Sequence, residues 1–178
     1  MQIELRHNPS DPEILSQMSD MLDSSFTEAM RYPFRDLMPY FGRGEMDLWE
    51  AVSGGELIGF AVAIPSDMMV YILFLVVDRG QRSKGYGSAA LSALREKYPG
   101  KPLVLDCEED LIPFYERNGI HDTGYRMEFR NILLCVMCES ELDTEAFFEI
   151  SLLLAPLEAD DGTDFVWIEP DGTRHVIS

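Results

Sequence analysis

Positive charge gathers in one short stretch of an acidic chain. Within VVDRGQRSKGYGSAAL, residues 76–91, the bases Arg79, Arg82 and Lys84 fall inside six positions and lead into Gly85 and Gly87. A turn passing from an apolar run into an alanine-rich helix presents backbone N–H groups without partners, and the helix dipole aims its positive end the same way. Phosphate is the usual occupant of such a place. Glycines at 85 and 87 let the backbone approach a ligand without a Cβ in the way, and Arg82 and Lys84 add full charges. A tight turn with solvated basic side chains is the other reading the residues allow. Two known phosphate loops fit poorly: the Walker pattern needs G-x-x-x-x-G-K-[ST], and Ala90 only loosely replaces the third glycine of the dinucleotide fingerprint.

The other chemistry-bearing residues form no constellation. Cys135 and Cys138 make a C-x-x-C, but on a strand they point to opposite faces, and no second Cys/His pair completes a zinc site, so no metal is expected. His7, His121 and His175 are scattered, with no serine or cysteine motif for a hydrolase triad.

The elements that must carry the basic turn read as α/β. QIELR, residues 2–6, alternates as a first strand, and Ser10 or Asp11 caps a helix with Pro12 in its first turn and a stripe of Ile14, Leu15, Met18, Met21 and Leu22. Residues 25–41 are a second helical region that Pro33 and Pro39 should break. DLWEAV and LIGFAVAI flank the turn SGGE as a hairpin. The run MMVYILFLVV is too continuously apolar for a half-exposed strand and belongs at the centre of a sheet covered on both faces. Strand 69–77, helix 86–97 and strand 102–107 then form a right-handed parallel βαβ unit. Asp110 is expected to cap a short helix, LIPFYERN, closed by Gly119. YRMEF and ILLCVMC supply two more strands, DTEAFFEISLLLAP an added helix, and FVWIEPDGTRHVI a hairpin.

Composition narrows the classes. The chain has 178 residues, 46% hydrophobic and 26% charged, with a net charge of −18. It suits one domain with an appendage and a proper core. No apolar run approaches the roughly 20 residues of a membrane helix, and the first residues lack a signal-peptide pattern, so no membrane association and a cytoplasmic location are expected. Three cysteines make a disulfide framework improbable. So acidic a chain is not expected to bind nucleic acid. Residues 139–178 hold 11 Asp and Glu against the single Arg174.

RSKGYG, residues 82–87, resembles the R/Q-x-x-G-x-G/A acyl-CoA loop of the GNAT superfamily of N-acyltransferases, and PFYERNGI, residues 113–120, is similar to its F-Y-x-x-x-G-F element. The two stand in order, joined by the βαβ unit. The resemblance implies a GNAT-like mixed central sheet with helices on both faces over residues 1–138, followed by an acidic extension of helix and β-hairpin over 139–178. It implies acetyl-CoA as co-substrate in a V-shaped opening, with pantetheine pairing near Leu75, Val76 and Val77. The amides of Arg82, Ser83, Lys84, Gly85, Tyr86, Gly87 and Ser88 would cradle the pyrophosphate, and Phe114 and Arg117 would add cofactor contacts. A backbone N–H of Val76 or Val77 would polarise the thioester carbonyl. Tyr115 matches the tyrosine that protonates the departing thiolate.

An amine with pKa about 10.4 must first lose a proton. Many relatives place an acid on the central strand, which here has none. Glu108, Glu109 and Glu50 are the candidate bases, Glu108 foremost, acting directly or through water. The implied activity is N-acetylation of a primary amine on a small molecule or protein; a catalytically weak acyl-CoA-binding or interaction module is the rival. The net charge favours a cationic acceptor, whereas Arg31, Arg35 and Arg43 would suit a carboxylate. An isolated hairpin is marginally stable, so Phe165, Trp167 and Val176 should dock it on the body, a second protomer or a partner, and a homodimer stays open.

Overall fold

A computed structural model describes residues 2–158 and 165–177; Asp160, Asp161 and Asp164 of the acidic extension lie outside the described residues. In chain order the elements are β1 (Glu4–His7), α1 (Pro12–Ser25), α2 (Phe34–Arg43), β2 (Asp47–Ser53), β3 (Glu56–Pro65), β4 (Val70–Val77), α3 (Tyr86–Lys97), β5 (Leu103–Cys107), α4 (Ile112–Arg117), β6 (His121–Phe129), β7 (Ile132–Cys138), α5 (Thr144–Glu158), β8 (Phe165–Ile168) and β9 (Arg174–Ile177). The hydrogen-bonded strand order is β1-β2-β3-β4-β5-β7-β6-β8-β9, mostly antiparallel. The chain divides into two compact units, residues 1–65 with 72–101, and residues 66–71 with 102–178.

In the first unit, Asp11 caps α1 by accepting the Glu13 N–H at 2.9 Å, Pro12 opens the helix, and Met18 and Leu22 are fully buried. Gly54 and Gly55, both at positive φ, turn β2 into β3, as the SGGE sequence predicts. Register sets Leu5, Ala51 and Gly59 on one face of the sheet and Arg6, Glu50 and Phe60 on the other. Phe34 of α2 meets Phe60 edge-on at 5.9 Å, and Tyr98 after α3 meets Trp49 at 6.1 Å, so helices cover both faces.

One expectation fails here. Pro39 does not break the second helical region but lies inside α2. An interior proline costs about 3 kcal/mol locally. Burial of Phe34, Leu37, Tyr40 and Phe41 on one side of the same ten residues outweighs that cost.

In the second unit, the start of β4 pairs in parallel with β5, Val70 with Leu103 and Tyr71 with Val104, and β7 then pairs antiparallel with both β5 and β6. Asp110 does not cap the short helix. Leu111 occupies the cap position without a side-chain bond, because a 3-10 turn over Glu109–Leu111 feeds directly into α4, with the Leu111 N–H on the Glu108 carbonyl at 3.0 Å.

The terminal hairpin docks within this unit. β8 pairs with β6, Trp167 opposite Met127, and Trp167 is 3% exposed and stacked on Tyr125 at 4.9 Å. Phe147 and Phe148 of α5 also contact its ring. Val176 does not join this apolar face. It pairs with Val166, one residue out of phase with Trp167, and stays 64% exposed.

Candidate active site

All of the basic turn belongs to the first unit. It begins where β4 ends: Asp78 accepts the Gly80 N–H on its carboxylate at 2.9 Å, which starts a 3-10 turn over Arg79–Gln81. Ser83 and Gly85 both adopt left-handed backbone, φ +61 and +86, and Gly85 is the cap from which α3 starts. Left-handed residues curl the chain so that successive N–H groups face one concavity. Ala89 is the first residue to bond back, to the Gly85 carbonyl at 3.1 Å. The amides of Tyr86, Gly87 and Ser88 precede it in the first turn, where no intrahelical acceptor exists.

The three bases divide in role. Arg82 donates from Nε to the Val77 carbonyl at 3.1 Å and from its terminal nitrogen to Ser25 Oγ at 2.8 Å. Arg79 donates to the Ser24 carbonyl. Lys84 reaches the Gln81 amide oxygen at 3.0 Å and is exposed. Each of these acceptors is neutral. Among the described residues no carboxylate pairs with these cations, so their field persists at the helix start. Sequence reasoning assigned Arg82 to the ligand; it missed that Arg82 fastens the loop to the ends of α1 and β4.

On β4, Leu75 and Val77 are half-buried and Val76 is buried. They line a small apolar hollow with Leu5, Ala51, Gly59 and Tyr86, among others. Gly59 was not singled out by sequence, although a glycine inside an apolar strand signals close backbone approach.

In the second unit, Tyr115 sits on α4, 8% exposed, against the Phe114 ring at 5.0 Å. Its carbonyl accepts from Asn118 and Ile120 at 2.9 and 3.0 Å, which fixes the helix end that Gly119 closes at positive φ. Burial, and then the nearby Cys107 and Asp106, raise the phenol above the ordinary tyrosine range. Phe114 is half-buried, and Arg117, Glu108 and Glu109 are exposed. The remaining candidate base, Glu50, lies in the first unit, where it is the one buried charged residue among the described residues, on β2 opposite Arg6 and Phe60. Among the described residues no group of three His, Cys, Asp or Glu is arranged to hold a metal ion, and no helix is long and apolar enough to cross a membrane.

Residues 15–120 match the Acetyltransferase (GNAT) family. No curated protein matches the chain. Among solved structures, it is similar to an acetyltransferase of the GNAT family from Bacteroides thetaiotaomicron, with a TM-score of 0.66 and 21% identity over 86% of this chain and 98% of that one. The aminoglycoside 6'-N-acetyltransferase from Enterococcus faecium superposes with a TM-score of 0.61 and 19% identity, covering 80% and 98%. A GNAT family acetyltransferase from Elizabethkingia anophelis, solved with acetyl-CoA bound, gives 0.59 and 18%, covering 76% and 96%. With the family match spanning more than half its length and the sheet and helices in that arrangement, this chain belongs to the GNAT acetyltransferase family.

Proposed function

We propose that the protein transfers an acetyl group from acetyl-CoA directly to the primary amine of a cationic small molecule or protein. The loop from Asp78 to Ser88 carries this reading: two left-handed residues, the open first turn of α3 and three cations on neutral acceptors suit a pyrophosphate. The backbone of Leu75 to Val77 would pair with pantetheine, and Phe114 and Arg117 would add contacts. The bound relative from Elizabethkingia anophelis supports acetyl-CoA as the donor.

In the reaction the neutral amine nitrogen bonds to the thioester carbon, the C–S bond breaks, and the sulfur leaves as thiolate. Tyr115 supplies the thiolate proton; a phenol carries that proton at neutral pH, and burial raises it further above the ordinary tyrosine range. The amine proton goes to Glu108, directly or through water.

A cationic acceptor is favoured over a carboxylate because each arginine near α2 already faces an acid. Arg31 pairs with Asp23 at 3.0 Å, Arg35 with Asp36 at 3.5 Å and Arg43 with Glu45 at 2.7 Å. That leaves the net charge of −18 to steer the acceptor. Free thiol released from acetyl-CoA across a panel of polyamines, aminoglycosides and lysine peptides tests the proposal. Turnover with a cationic amine is expected; tight acetyl-CoA binding without turnover on the whole panel would favour the binding module instead.

A further inference from the structure

We infer that Gly59 is a positioning residue for the transfer. Its missing Cβ lets the Val76–Val77 peptide turn its carbonyl over β3 and its N–H away from it, making Val77 the backbone donor to the thioester carbonyl. The inference rests on the acetyl-CoA reading above.

A Cβ built on Gly59 would stand 2.0 Å from the Val76 carbonyl oxygen and 3.0 Å from both the Val76 carbonyl carbon and Val77 Cα. All three are backbone atoms, so no rotamer change relieves the clash. The chain around them has little slack. The next N–H, of Asp78, donates to the Ile58 carbonyl at 2.8 Å and ties the end of β4 to β3 beside Gly59. Any side chain at 59 must therefore push β4 outward or rotate the peptide.

Direction follows from peptide geometry. The Val76 oxygen occupies the space where the Gly59 Cβ would project, on the face shared with Leu5 and Ala51 and lined by Tyr86 and Ala90 of α3. The described peptide bonds are trans, and in a planar trans unit the N–H points opposite the C=O. The Val77 N–H thus points away from β3. Its own carbonyl is gripped by Arg82 at 3.1 Å, so the peptides on both sides of Val77 are fixed. A donor held in place before substrate arrives costs no reorganisation during the reaction. Glycine in a strand interior otherwise weakens it, and Phe60, Ala61 and Val62 beside it are all buried.

The test uses two spectra of the whole protein. One is the Val77 amide resonance in complexes with CoA and with acetyl-CoA; the other is the carbonyl stretch of acetyl-CoA labelled with carbon-13 at the thioester. In the unaltered protein the Val77 proton should move downfield from the CoA to the acetyl-CoA complex, and the stretch should fall on binding. Gly59→Ala should abolish both shifts in the complexes formed at saturating CoA and acetyl-CoA. Val62→Ala removes core volume from the same strand without placing an atom against β4. It should lower the melting temperature and keep both shifts, separating positioning from stability. If Gly59→Ala does not fold, the Val77 resonance of the unaltered protein decides. Bound acetyl-CoA with an unmoved Val77 amide or an unshifted stretch overturns this inference alone; no binding of acetyl-CoA overturns the proposed function with it.

Discussion

The Arg82 guanidinium spans from the Val77 carbonyl, 3.1 Å away, to Ser25 Oγ at 2.8 Å, so one side chain fastens the glycine loop to the last residues of β4 and α1. The two bonds leave from different nitrogens of one planar fork, whereas an ammonium's donors all radiate from a single atom. Arg82→Ala is expected to weaken acetyl-CoA binding about tenfold, equivalent to about 1.4 kcal/mol. Arg82→Lys should recover only part of that loss, because charge returns without the second bond. Calorimetric titration of both variants checks this; full recovery by lysine would assign the effect to charge alone.

Tyr115→Phe removes the hydroxyl and keeps the ring on Phe114. Turnover should fall about a hundredfold, the range of one general acid, with acetyl-CoA affinity unchanged. Steady-state kinetics beside direct binding separates the two. Undiminished turnover would remove Tyr115 from the chemistry.

Alkaline pH should destabilise the fold through groups buried in their neutral form. Burial pushes the Cys107 thiol from 9.0 up to about 12, and raises the phenols of Tyr98 and Tyr115 above the usual range. A raised folded pKa means the unfolded chain ionises first. The stabilisation is complete below pH 9 and declines as pH rises, by at most about 1.4 kcal/mol per pH unit for each group. Denaturant melts of the protein and of Cys107→Ala from pH 8 to 11 should show a shallower decline in the variant. Parallel curves would contradict this.

Trp167 joins β8 to α5 and β6 through contacts with Tyr125, Phe147 and Phe148. Trp167→Ala should cost about 3 kcal/mol. Truncation after Glu139 should go further and expose the surfaces that α5 and the hairpin cover, read as aggregation or altered assembly by light scattering. A truncated protein that stays soluble and unchanged in assembly would show that the extension is not needed to cover the second unit.

Local chemistry made much of this legible in the sequence. Asp11 before Pro12, glycines after Ser53 and the unbroken apolar run of β4 each have one dominant structural consequence. Pro39 misled because local propensity cannot see the burial of Leu37 and Tyr40 on the same helix. Asp110 misled because a preceding 3-10 turn made a cap unnecessary. Val176 misled because hairpin register depends on the turn, and one residue of phase moves a side chain to the other face. At the site, glycines and cations were visible, but their attachments were not. Arg82 finds Ser25 across 57 residues of chain, and the Gly59 contact is with backbone atoms, which every residue shares.

The division of the chain bears on its synthesis. Residues 66–71 belong to the second unit yet are translated between the two parts of the first. Trp49 Nε1 donates to the Tyr98 hydroxyl at 2.7 Å, which in turn donates to Asp47 at 2.5 Å, so the first unit lacks a clasp until residue 98 has left the ribosome. The six inserted residues must wait longer, because Val70 and Tyr71 pair with Leu103 and Val104. Until Leu103 and Val104 have emerged in their turn, Val70 and Tyr71 stand without their β5 partners, so the second unit can begin to pair only after the first has its clasp.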